Sequence, residues 1–152
     1  GELHAGVVRH VCRGETYHAI RGEGAWCGER RLQVTGRREL SRCLLATGFA
    51  SNRRERADAL LGPVKRAMEQ GRGVRRMGAA ALDLADVAQG LYDGYWEDSL
   101  NPWDVAAGIV LVQEAGGRVT AYGGRPVALA GGDFIATNGH IHEAMIDLVG
   151  RD

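Results

Sequence analysis

Lysine is nearly missing from this chain: of its 19 basic residues, all but Lys65 are arginine, and they are scattered among 19 acids to give a formal net charge of zero. That balance argues against a dedicated nucleic-acid binder, which carries an excess of positive charge in a stripe or patch. Long apolar runs are also missing. Nothing approaches the roughly 20 residues that cross a bilayer, and no secretory signal opens the sequence, so no membrane partner is expected. Cysteine is scarce, with Cys12, Cys27 and Cys43 widely spaced and odd in number. No CxxC pair suggests zinc and no even set suggests a disulfide framework; three unpaired thiols suit a reducing cytoplasm, each as a small buried hydrophobe.

What remains is ordinary for a chain that buries a core: 152 residues, 45% hydrophobic and 25% charged. The opening reads as an antiparallel meander. Leu3–Val11 and Thr16–Ile20 are strands about an Arg13-Gly14-Glu15 loop, Arg21–Ala25 is a glycine-rich turn, and Arg31–Thr35 is a further strand with Leu32 and Val34 alternating. Beyond Arg38 the pattern changes to alternating strands and helices. Strands are expected at Cys43–Thr47, Val74–Met77, Leu91–Glu97, Arg118–Tyr122 and Phe134–Thr137. Helices are expected over Asn52–Gln70, broken or kinked by Pro63, over Ala79–Gln89 closed by Gly90, from Pro102 to Gly116-Gly117, and over His142–Val149. This grammar implies a layered α/β unit, with a division into residues 1–38, a remnant of an antiparallel sheet domain, and 39–152, an α/β domain.

The chemistry concentrates in two linked segments, GAAALDLADVAQGLYDGYWE (78–97) and NPWDVAAGIVLVQEAGG (101–117). Asp104 falls in the first turn of a helix, where the dipole and free amides favour a carboxylate and aim it toward a cleft. Ala106, Ala107 and Gly108 let that helix pack closely on a neighbour. The plain alternatives are a helix-start acid at Asp104 and a solvated strand-end acid at Glu97. Asp83 and Asp86 are read as a solvated helix face, His140 and His142 as surface or capping residues, and Trp26, Trp96 and Trp103 as core or interface packing. Arg53, Arg54 and Arg56 are read as an exposed helix start.

The ordered set resembles the inositol monophosphatase family. WDVAAGIVLVQEAGG is similar to its C-terminal signature and GAAALDLADVAQGLYDGYWE to its substrate-side segment, while AGVV, RGEGAW and FIATN fall where the family has comparable elements. The resemblance implies a layered α-β-α-β-α sugar-phosphatase-like sandwich, of which this chain holds part of the first antiparallel sheet plus the C-terminal α/β unit. It implies a Mg²⁺-dependent phosphomonoesterase acting on myo-inositol 1-phosphate or a similar polyol or sugar phosphate, as a homodimer. On matched positions, Asp104 would ligate a catalytic metal and orient the leaving-group side, and Glu97 would bind the substrate's hydroxyls. Ala80 would make a backbone contact to substrate, with Gly78 and Ala79 forming its approach. The family's aspartate-rich DPIDGT-like motif and its upstream glutamate are not in this sequence; by the family layout they precede Gly1. The residues given are therefore expected to lack half of the metal site and, alone, to be nearly inactive. The competing expectation is a non-catalytic dimeric binding or assembly module derived from the same fold; zero net charge and the presence of both Glu97 and Asp104 favour the enzyme.

Overall fold

A computed structural model describes residues 2–51, 53–128 and 130–150. Four strands, β1 (Ala5–His10), β2 (Glu15–Ile20), β3 (Gly24–Cys27) and β4 (Arg30–Arg31), form an antiparallel sheet in sequence order. A second sheet has the order β6-β5-β7-β9-β8, built from β5 (Leu44–Thr47), β6 (Gly73–Arg75), β7 (Gly94–Leu100), β8 (Arg118–Thr120) and β9 (Gly132–Thr137). Strands β6, β5 and β7 run parallel, and β9 is antiparallel to both β7 and β8. Helices α2 (Ala80–Ala88) and α3 (Pro102–Glu114) pack between the sheets, while α1 (Ala57–Gln70) and α4 (His142–Val149) cover the far face of the second sheet. The order sheet, helices, sheet, helices is the layered α/β sandwich expected.

Small residues set the spacing of these layers. On β1, Gly6 and Val8 face inward while Ala5, Val7 and Arg9 face out. A Cβ on Gly6 would come within 2.6 Å of the Ala107 carbonyl oxygen, so β1 lies directly on the α3 backbone. One residue further along α3, a Cβ on Gly108 would meet Leu84 Cδ1 at 2.5 Å, which fixes the α2–α3 crossing. The resulting core joins Val8, Tyr17 and Ala25 of the first sheet to Leu84, Ile109 and Tyr95 of the remainder, so the two segments on either side of Arg38 share one interior.

The stretch joining the sheets is tied down by two buried polar groups. Asp93, wholly buried before β7, accepts hydrogen bonds from the Thr35 hydroxyl, from Arg37 Nη1 at 3.1 Å and from the Leu44 amide at 2.8 Å. Asn138 Nδ2 donates to Thr35 Oγ1 and to the Arg37 carbonyl, both at 2.9 Å. These bonds satisfy backbone and side-chain groups that have no ladder partner.

Several local expectations are corrected. The strand drawn at Arg31–Thr35 is limited to Arg30–Arg31, and the Val34 amide donates to the Ala115 carbonyl at the end of α3 instead of to a strand. The last two residues of the supposed turn at Arg21–Ala25, Gly24 and Ala25, belong to β3, which pairs Ala25 with Ala19. Pro63 sits inside an uninterrupted α1, which begins at Ala57; the earlier part of the expected helix is turn, and Asn52 lies outside the described residues. Strand β7 starts at Gly94 and runs to Leu100. Cys43 is buried as expected, but Cys27 is half-buried and Cys12 exposed, all three as free thiols. Trp96 is core, whereas Trp103 is 77% exposed. Among the described residues no helix is long and apolar enough to cross a membrane.

Candidate active site

The residues singled out in the sequence lie at the starts of α2 and α3 and toward the end of β7. Gly78 holds φ +92, a left-handed turn that glycine adopts without strain. Ala79 then caps α2 with no side chain to satisfy the helix's first amides. Gly78 and Ala79 are exposed and Ala80 is half-buried.

Glu97 comes from the opposite wall. It is only 8% exposed, and the Tyr95 hydroxyl, two residues back on the same face of β7, donates to its Oε2. The carboxylate lies directly over Gly48, just past β5, where any Cβ would overlap it. Its Oε1 accepts no hydrogen bond from the described residues. Burial chiefly pushes this carboxyl above the usual carboxylate range; the Tyr95 hydrogen bond and the nearby Arg76 guanidinium pull it down, and the charges of Asp98 and Asp104 push it up. Arg76 is itself held 5.8 Å over the ring of Phe49.

Asp104 opens α3 as expected, behind Pro102, and its Oδ2 accepts from the Asn101 amide at 2.9 Å. The helix-start role is therefore real, and it uses one of the two carboxylate oxygens. Asp104 is half-buried and near enough to Glu97 for its charge to act there. Among the described residues no three His, Cys, Asp or Glu side chains come together as metal ligands. A single carboxylate with one oxygen already engaged does not constitute a divalent-metal centre, so these residues do not by themselves fit the ion the resemblance implies.

Asp83 is the residue the sequence pattern misjudged. Read as part of a solvated face, it is 1% exposed, and neither carboxylate oxygen has a hydrogen-bond partner. Burial raises it from 3.8 to about 7, helped by the charges of Asp86 and Glu97 and opposed by the Ala79 backbone amide and Arg76. The Ala79 amide is close enough to act electrostatically but lies outside hydrogen-bonding geometry. Asp86 is half-buried and also raised, mainly by burial.

His142 is corrected in the same sense, being fully buried between Thr120 Oγ1 and Thr137 Oγ1, each 2.9 Å from a ring nitrogen. Thr120 already donates to the Ala121 carbonyl at 2.8 Å, so it accepts from Nε2, and Nδ1 accepts from Thr137. Burial, with Arg118 adding to it, lowers this imidazole from 6.5 to about 4. It ties the start of α4 to β8 and β9.

A separate crevice of about 410 Å³ opens on the other face of β7, among Phe49, Arg56, Trp96, Asp98 and Tyr122. Trp96 and Asp98 alternate with Tyr95 and Glu97, so none of the expected site residues faces it.

Residues 1–151 match the profile of the Inositol monophosphatase family. The chain is 46% identical to an inositol-1-monophosphatase of Synechocystis, over 92% of this chain and 49% of that protein. It is 41% identical to a putative Nus factor SuhB of Neisseria meningitidis serogroup B, over 97% of this chain and 58% of the other. Its fold superposes on an inositol monophosphatase from Anabaena (Nostoc) sp. with a TM-score of 0.92 at 44% identity, covering 96% of this chain and 58% of that one. An extragenic suppressor protein suhB from Bartonella henselae gives 0.93 at 40% identity, covering 99% and 59%. The chain thus spans about half the length of the curated relatives it matches. With the family profile covering nearly every residue and solved relatives superposing on both sheets, the chain belongs to the inositol monophosphatase family.

Proposed function

We propose that this chain forms the substrate-side half of a divalent-metal-dependent phosphomonoesterase acting on a small polyol phosphate, myo-inositol 1-phosphate or a close analogue. The observation that supports it best is Glu97: a buried carboxylate, pinned through Oε2 by Tyr95, with Oε1 unengaged beside the start of α3. In this reading a substrate hydroxyl donates to Glu97 Oε1, and the backbone of Ala80, approached through Gly78 and Ala79, contacts the same substrate. Asp104 supplies one metal ligand on the leaving-group side, and the rest of the ligand set comes from residues outside this sequence. Magnesium suits the proposal because its ligands would be carboxylate and phosphate oxygens. A cytoplasmic homodimer completes it, and light scattering reads that state.

The test is Mg²⁺-dependent phosphate release from inositol 1-phosphate by the whole protein. Asp104→Asn is expected to abolish release, and Glu97→Gln to raise KM with little change in kcat, as expected when binding common to ground and transition states is lost. A second reading, a non-catalytic assembly module, draws support from the relatives named Nus factors and from the lack of a three-ligand metal cluster among the described residues. No release and no Mg²⁺ binding by a well-folded protein would decide for it.

A further inference from the structure

The crevice behind β7 has no role in that proposal, yet it is built as a ligand pocket is. Its volume of about 410 Å³ falls within the range of small-molecule sites, which join apolar walls to a few fixed polar groups. Phe49, Leu60, Pro63 and Trp96 supply the walls. Two carboxylates line it as well, each held by an arginine. Asp98 takes Arg56 through both oxygens, Nη1 on Oδ1 at 3.2 Å and Nη2 on Oδ2 at 2.7 Å. Asp133 takes the Tyr122 amide on Oδ1 at 3.3 Å and Arg125 Nη2 on Oδ2 at 3.1 Å. Arg56 Nη1 also donates to Ser99 Oγ at 3.2 Å, and Ser99, another lining residue, is the one non-glycine position with positive φ among the described residues, at +59. A serine held in that conformation costs backbone energy, and folds keep such positions most often at sites that work.

The hydrogen-bonding capacity still open here selects the ligand. The Tyr122 hydroxyl lines the crevice and meets no hydrogen-bond partner among the described residues. Asp98 Oδ2 and both oxygens of Asp133 have each accepted one hydrogen bond and can accept a second. Two arginines balance the two acids, so no net charge is called for. A phosphate or carboxylate brings only acceptors to a place rich in acceptors. An ammonium brings only donors and leaves the Tyr122 O–H unused. A hydroxyl both donates and accepts.

We propose that this crevice binds a neutral, hydroxyl-rich ring, a cyclitol or a pyranose sugar, with one hydroxyl accepting from Tyr122 and others donating to Asp98 and Asp133. The apolar walls meet the C–H face of the ring. The site lies on the other face of β7 from Glu97, and its occupancy does not depend on the phosphomonoesterase reading.

Calorimetric titration of the whole protein with myo-inositol and with glucose tests this, in a Glu97→Gln background that weakens the other hydroxyl-binding position. Binding at one site per chain is expected. Adding Tyr122→Phe, which deletes a single hydroxyl, should weaken it about fivefold, the scale of one neutral hydrogen bond. Ala59→Phe, an exposed α1 position at the crevice, should block it by bulk without touching the core. Inorganic phosphate should not compete. Crystals soaked in the ligand should show the ring against the Tyr122 hydroxyl. No binding of either ring, binding indifferent to both Tyr122→Phe and Ala59→Phe, or displacement by phosphate would overturn the proposal. So would a crystal structure of the whole protein in which its own residues fill the crevice. Intact binding by a protein that releases no phosphate would refute the phosphomonoesterase reading alone.

Discussion

Asp83→Asn carries a thermodynamic signature that requires no substrate. The folded protein holds Asp83 near 7 and the unfolded chain near 3.8, so the folded state binds the proton more tightly. A group raised in this way leaves stability intact below its unfolded value and removes it as pH rises through the folded one. At about 1.36 kcal/mol for each tenfold displacement, the loss totals about 4 kcal/mol between pH 4 and pH 7.5. The amide of the variant does not titrate, so subtracting wild type from variant reports Asp83 together with its coupling to Asp86 and Glu97. Urea unfolding at half-unit steps from pH 4 to pH 8, monitored through buried Trp96, measures the difference. The variant should gain on wild type by about 4 kcal/mol across that range, even though its amide, left unpaired, costs about 1–3 kcal/mol at every pH. A difference that stays flat with pH would mean Asp83 is solvated or paired in the fold, and would refute the burial argument.

Other expectations concern the packing and the opposite titration. His142, held near 4 against 6.5 when free, contributes fully above pH 6.5 and loses about 3 kcal/mol as pH falls to 4; His142→Gln should flatten that acid limb in the same urea series. Gly48→Ala places a methyl on the Glu97 carboxylate and should raise KM for a polyol phosphate at least tenfold, with a stability loss of about 1–3 kcal/mol. Gly6→Ala drives a Cβ into the Ala107 backbone and should cost about 3 kcal/mol, read as a lower thermal midpoint. Asp93→Ala leaves the Leu44 amide and the Thr35 and Arg37 groups without their acceptor, and about 3–5 kcal/mol of destabilisation should appear in the same assay.

How much of this was legible in the sequence depends on the layer a residue occupies. β1, with one wet face, alternates cleanly, and α3, though covered by both sheets, carries its start at Pro102 and its stop at Gly116. α2 was legible as a helix over Ala79–Gln89, but its buried faces were not, because it lies between two sheets and buries residues 83, 84, 85, 87 and 88. A one-sided apolar stripe was the wrong template for a helix covered on two sides, so Asp83 was assigned to water. His142 was hidden for another reason: it opens α4 on the far face of the second sheet, and its partners Thr120 and Thr137 lie on β8 and β9. Leu32 and Val34 alternate like a strand because they reach the shared core, while their backbone is satisfied by Ala25 and Ala115. Tyr95 was within reach of the pattern, being two residues from Glu97 on one strand face. Gly48 carried a weaker signal, a glycine at a strand end where another group approaches closely.

Helix α3 is clamped at both ends. Its last residue, Glu114, takes the amides of Gly22 and Gly24 at 3.0 and 2.9 Å, and its first turn holds Asp104 against Asn101. Between them, Ala107 and Gly108 are wedged against β1 and α2 with no slack. The helix therefore behaves as an axle, with the β2–β3 hairpin gripping one end and the acid of the site riding on the other, about 15 Å away along its axis. A substitution at Glu114 would release the Gly22 and Gly24 amides and loosen the hairpin's grip on the helix that carries Asp104.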